Sequence, residues 1–111
     1  MQEPTFLVLT VLAGPALHGY GIMQAIEELS GGTVTVRPGT LYAALDRLTR
    51  EGLIEAVHQE TVNGRVRQYY ALTDSGTTAV RAEADRMAQA ARLVTTRPAR
   101  RSATRPAVGL S

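Results

Sequence analysis

Cysteine, tryptophan and lysine are all absent from these 111 residues. Without cysteine, neither a disulfide framework nor a thiolate-bound zinc or iron–sulfur site can form. Only two histidines are present, so a metal site would have to lean on carboxylates. The scattered Asp and Glu show no spacing that suggests a metal loop. Long apolar runs are missing too: Phe6 to Leu12 is too short to span a bilayer. Met1-Gln2-Glu3-Pro4 gives no basic lead-in, so no targeting segment and no membrane partner are expected, and a cytoplasmic protein is the default. G-x-G-x-x-G, Walker A and H-E-x-x-H patterns do not occur, and His18 and His58 fall on different elements. A chain of this length fits one domain with a modest core and has no room for a large catalytic cleft. Neither an enzyme nor a cofactor is expected.

With no lysine, all side-chain positive charge is arginine: 12 against 10 acids, a formal net charge of +2. Its layout is uneven. Residues 97–111 hold Arg97, Arg100, Arg101 and Arg105 and no acid. Residues 1–96 hold the other eight arginines and all ten acids, so the body of the chain is net −2. A nucleic-acid role must therefore rest on where individual arginines sit, not on the total.

What is present is a run of short, well-punctuated elements. Thr5 to Ala13 is apolar nearly all round, which suits a buried strand or a short buried helix equally. The Gly14-Pro15 stop and the helical segments that follow favour a helix. From about His18 to Leu29, Tyr20, Ile22, Met23, Ile26 and Leu29 repeat at helical spacing, and Ser30-Gly31-Gly32 ends the run. His18, at its start, reads as a capping or solvated residue. Thr33 to Val36 is a minimal strand or an extended connector. Pro38 suits a first helical residue, and Arg37 before it is biased away from helix. A third helix then runs to about Arg50, with Leu41, Ala44, Leu45 and Leu48 inward and Gly52 as its stop. Leu53–Gln59 and Arg65–Leu72 flank Val62-Asn63-Gly64, and Asn-Gly is the favoured type I′ hairpin pair. Tyr70 and Leu72 face a core, while Arg65, Arg67 and Tyr69 share the other face. Thr73 caps a last helix reaching about Val94, with Asp74 in its first turn. The remainder, 95–111, is Pro-, Arg-, Ala-, Ser- and Thr-rich and is expected to be disordered.

Three small helices and a hairpin make a winged helix-turn-helix: mainly α with a small β wing. The third helix is the size of a B-DNA major groove. Thr40, Tyr42, Ala43 and Arg47 are candidates for base edges or phosphates, with Tyr42 equally a packing residue. At Pro38-Gly39, three bare helix-terminal N–H groups can receive a phosphate. Arg37 is a phosphate candidate. Arg50 is equally explained by the helix dipole. Arg65 and Arg67 are candidates for a phosphate or minor-groove contact by the wing. Along the last helix, Val80, Ala84, Met87, Ala91 and Val94 form a heptad stripe, which either pairs with a second copy or packs back on its own domain.

Leu17-His18-Gly19-Tyr20-Gly21-Ile22 resembles the second-helix opening of PadR-family transcriptional regulators. Arg37-Pro38-Gly39-Thr40-Leu41-Tyr42-Ala43-Ala44-Leu45-Asp46-Arg47-Leu48 is similar to that family's recognition helix. Glu51-Gly52-Leu53-Ile54 and Arg67-Gln68-Tyr69-Tyr70-Ala71-Leu72-Thr73-Asp74-Ser75-Gly76 resemble its wing segments, in order and correctly spaced. The resemblance spans about residues 5–94. It implies a dimeric regulator of double-stranded promoter DNA, usually a repressor, with the helix from Pro38 in the major groove. It also implies that the last helix pairs with a partner's first helix, which makes Phe6 and Leu9 interface residues as well as core. The domains would be 1–72 for DNA, 73–94 for dimerisation and 95–111 as a basic tail. Gly21 and Val57-His58 depart from the pattern, the latter where many members have Trp. An aromatic lining for flat ligands is not supported, and a small-molecule effector of unnamed class stays open. The rival reading is a winged-helix protein-interaction module without specific DNA binding.

Overall fold

The structure, a computed structural model, describes residues 1–98. Its elements are α1 (Glu3–Val11), β1 (Leu17–His18), α2 (Gly19–Leu29), α3 (Pro38–Arg50), β2 (Ile54–Val62), β3 (Arg65–Leu72) and α4 (Asp74–Thr96). The ambiguous first segment is a helix. It begins two residues earlier than its apolar run, because Pro4 is accepted in a first turn whose amides need no intrahelical partner. It stops at Val11, before Gly14-Pro15. Thr33 to Val36 is a connector that buries Val36 in the core and packs Val34 partly against it. Of the sequence expectation for 95–111, Thr95 and Thr96 belong to α4, and residues 99–111 lie outside the described residues.

Helices α1, α2 and α3 bury one shared core of Val8, Leu9, Leu12, Ile22, Ile26, Leu41, Leu45 and Leu48, closed by Ile54 and Val80. At about 1.5–3 kcal/mol for each fully buried aliphatic side chain, this is what holds the small domain together. The inward stripe of α3 is the one that its sequence spacing predicts: Leu41, Ala44, Leu45 and Leu48. Gly52 ends α3 in a left-handed conformation (φ 76°), with the Leu53 amide donating to the Leu48 carbonyl at 3.0 Å.

The hairpin turns at Asn63 (φ 52°) and Gly64 (φ 76°), as the type I′ pair requires. A third strand joins it: β1 pairs antiparallel with β3, giving the order β1-β3-β2. Tyr70 and Leu72 pack on the core from the hairpin's inner face. Val66, on that same face, is exposed because the ribbon runs out past the helices. At the base of α4 the Thr73 hydroxyl accepts from the Gly76 amide at 3.0 Å and donates to the Gly52 carbonyl at 2.6 Å.

Candidate nucleic-acid interface

Helix α3 presents an open end. Its N-cap residue, Arg37, makes no side-chain cap bond. Pro38 has no N–H, and the Leu41 amide is taken by the Arg37 carbonyl at 2.9 Å. Two amides, Gly39 and Thr40, are therefore left for an outside acceptor, one fewer than the sequence suggests. Nothing lies within 4 Å of a Cβ built on Gly39, so an anion can approach the backbone there. Arg37, Pro38, Gly39, Thr40 and Ala43 are all exposed around this end.

Tyr42 turns out to be both packing residue and surface. Its ring lies across the start of α2, so close that a Cβ on Gly19 would sit 2.4 Å from the hydroxyl oxygen. Half of the side chain is still open to solvent. Gly19 is therefore the reason that Tyr42 can hold its place beside the outward face of α3.

Arg47 is engaged within the fold. Its guanidinium donates to the Thr5 hydroxyl at 2.8 Å and stands 3.6 Å from the Glu51 carboxylate. Thr5 is buried, so Arg47 ties α3 to α1, while its side chain stays 42% exposed. The physical reason is its rotational phase: Arg47 lies on the flank of α3 that the N-terminal turn of α1 covers.

On the wing, Arg65 and Arg67 are exposed on one face, and with Arg37 they make no ion pair among the described residues. Glu60 stands opposite Arg67 in the register and accepts from the Tyr69 hydroxyl at 2.9 Å. That carboxylate raises the Tyr69 pKa above the ordinary phenol value, with Arg67 pulling the other way. Tyr69 also joins the strands. His58 of β2 stacks on its ring at 4.3 Å between centroids, and His18 of β1 meets it at 5.2 Å. The His18 side chain makes no cap bond, and its Nε2 is buried without a hydrogen-bond partner. It is thus not a capping side chain: it lies in β1, a strand of two residues that is too short to show a sequence period.

The stripe of α4 divides in two. Val80 is core, and so is Leu9 of α1, which is 0% exposed. Leu9 has no surface to offer a second chain, because it is sealed in the shared core with Ile22, Ile26 and Leu41. Ala84, Met87, Ala91 and Val94 are exposed, and Phe6 is half-buried at the edge of a groove of about 470 Å³ between α1 and α4. Among the described residues no helix is long and apolar enough to cross a membrane.

The sequence profile of the PadR-like transcriptional regulators matches residues 8–82, from α1 into α4. This chain belongs to that family. The PadR-like family is one of transcriptional regulators, not of enzymes. The chain is 41% identical over 88 residues to a protein of transposon Tn4556 from Streptomyces fradiae, covering 79% of this chain and 24% of the relative. It is 38% identical over 73 residues to the transcriptional regulator Rv3488 of Mycobacterium tuberculosis, covering 66% of this chain and 64% of the relative. It thus spans less than two thirds of either relative. Among solved structures, Bacillus subtilis PadR in complex with operator DNA superposes with a TM-score of 0.66 at 26% identity, over 73% of this chain and 46% of that one. The PadR-like match ends at residue 82, so the exposed outer part of α4 lies beyond it.

Proposed function

We propose that this chain is a homodimeric, sequence-specific binder of double-stranded DNA that represses by occupying a pseudopalindromic promoter site. One observation carries the reading. The open-ended α3 and the free arginines Arg37, Arg65 and Arg67 stand on a fold that is similar to a regulator solved on its operator. Helix α3 would enter the major groove, the Gly39 and Thr40 amides would meet a phosphate, and the wing arginines would follow the backbone. Residues 1–72 would form the DNA-binding unit and 73–94 the dimerisation helix. The +4 charge of residues 97–111 would add non-specific affinity that salt weakens. Phe6, Ala84, Met87, Ala91 and Val94 would meet the second copy, with a cytoplasmic location where the promoter lies.

The test is a titration against DNA from upstream of the chain's own gene and against a shuffled duplex, at about 150 mM salt. A preference of roughly 10³-fold or more is expected for the specific duplex. Equal weak binding to both would favour a winged-helix module that binds a protein, a reading that the −2 charge of residues 1–96 supports.

Gly19→Ala gives a second check at the site. The new methyl can be admitted only by swinging the Tyr42 ring, whose hydroxyl oxygen and Cζ would lie 2.4 and 2.8 Å from it. Thermal stability should stay within about 1 kcal/mol of the parent, since alanine favours helix. DNA affinity should fall about tenfold through the displaced tyrosine. Unchanged affinity would remove Tyr42 from the interface.

A further inference from the structure

The side of α3 directly opposite its buried stripe is a single row, Gly39, Ala43, Asp46 and Arg50, at spacings of four, three and four residues. Thr40 and Arg47 flank it on the α1 side, and Tyr42 flanks it on the α2 side. Gly39 and Ala43 give the row almost no height over its first half, so a docked surface can come close to the helix axis. In the second half stand a carboxylate and a guanidinium, ion-paired to each other, with side chains 73% and 67% exposed. Arg47, the arginine that sequence alone favours for base reading, is engaged with Thr5 and Glu51.

We propose that Asp46 is a specificity-determining residue. Its carboxylate accepts a hydrogen bond from the exocyclic amine of a cytosine in the major groove, with Arg50 held beside it. The inference rests on the DNA-binding reading above and adds to it a named residue and base. A carboxylate has only acceptors, and cytosine N4 is the major-groove edge that offers a donor on a pyrimidine. An isolated carboxylate facing DNA would be repelled by the phosphates. Arg50 cancels that charge on the spot and remains able to turn one of its five N–H groups to a neighbouring phosphate or guanine. As a largely exposed pair one helical turn apart, Asp46 and Arg50 add little to the stability of α3. Their position on the outermost row, and not their mutual attraction, is what a base-reading role uses.

The experiment is selection of binding sites from a randomised duplex pool by the full chain, run in parallel with Asp46→Ala, Asp46→Asn and Arg47→Ala. The wild-type chain should enrich a half-site containing one cytosine whose replacement costs roughly tenfold in affinity. Asp46→Ala should lose the preference at that position alone and keep the rest of the half-site. Asp46→Asn should shift that position towards adenine, whose N6 and N7 match a carboxamide. Arg47→Ala should keep the wild-type base preference. The same enriched sequence with Asp46→Ala as with wild type overturns the proposal and leaves DNA recognition intact. No enriched sequence with the wild-type chain overturns the DNA-binding reading, and the role of Asp46 falls with it.

Discussion

Gly76→Ala is expected to destabilise the domain by about 3 kcal/mol or more, a large part of the 5–15 kcal/mol that holds a typical domain folded. The cause is local. A Cβ on Gly76 would lie 1.9 Å from the Leu53 carbonyl oxygen and 2.9 Å from its carbon. Both atoms are backbone, so no side chain can rotate out of the way. The Leu53 carbonyl also accepts the Thr73 amide at 3.1 Å, and the Thr73 hydroxyl holds the Gly52 carbonyl at 2.6 Å. Moving α4 far enough to admit a methyl group would stretch both bonds and lift Val80 from the core. Thermal unfolding is the measurement, with a drop in Tm of about 12 °C or more. A Tm within about 3 °C of the parent would mean that the start of α4 is free to slide, contrary to this packing.

Met87→Asp is expected to separate the proposed dimer. Met87 is 48% exposed and sits between Ala84 and Ala91 on the outer stripe of α4. Burying a methionine contributes about 1.5–3 kcal/mol, and a two-fold interface counts every such change twice. A carboxylate at that place would have to enter the interface without a partner or keep the chains apart. Light scattering should report half the parent mass at matched concentration. Affinity for a two-half-site duplex should fall about 10²-fold or more, because the halves would no longer bind as one unit. A mass equal to that of the parent would place the contact between copies elsewhere. Met87 also lines a groove with Met1, Phe6 and Leu7 of its own chain, so the unfolding temperature should fall as that contact and the stabilisation by the second copy are lost together.

Some of this architecture is readable directly from residues, and the reasons differ by element. Asn63-Gly64 reports its turn because few other pairs accept positive φ at both positions. The inward stripe of α3 is legible because Leu41, Ala44, Leu45 and Leu48 repeat at the helical period. Periodicity gives the buried side of a helix, however, and not the identity of what covers its flanks. That is why Arg47 looks outward in the sequence and is bound to Thr5 in the fold. The outermost row with Asp46 and Arg50 follows from the same period, but that Arg47 beside it is engaged with α1 does not. Val80 falls on the heptad stripe and Leu9 enters the interface only through the family resemblance, yet each faces its own core. Strand β1 has two residues, too few for any alternation, so nothing announces the Tyr69 contacts of His18.

The joint at Thr73 and Gly76 also fixes how angles and distances trade along α4. The helix is 23 residues long, or about 34 Å, and its base rests on Gly52 and Leu53, which link α3 to β2. A tilt of about 5° about that base carries the far end through about 3 Å. Read from the far end, the gearing runs the other way. A shift of about 3 Å there reaches the Leu53 carbonyl as a fraction of an ångström, at a contact with no slack to absorb it. Whatever grips the outer turns of α4 therefore has a long lever arm on the orientation of α3, with its fulcrum at one glycine.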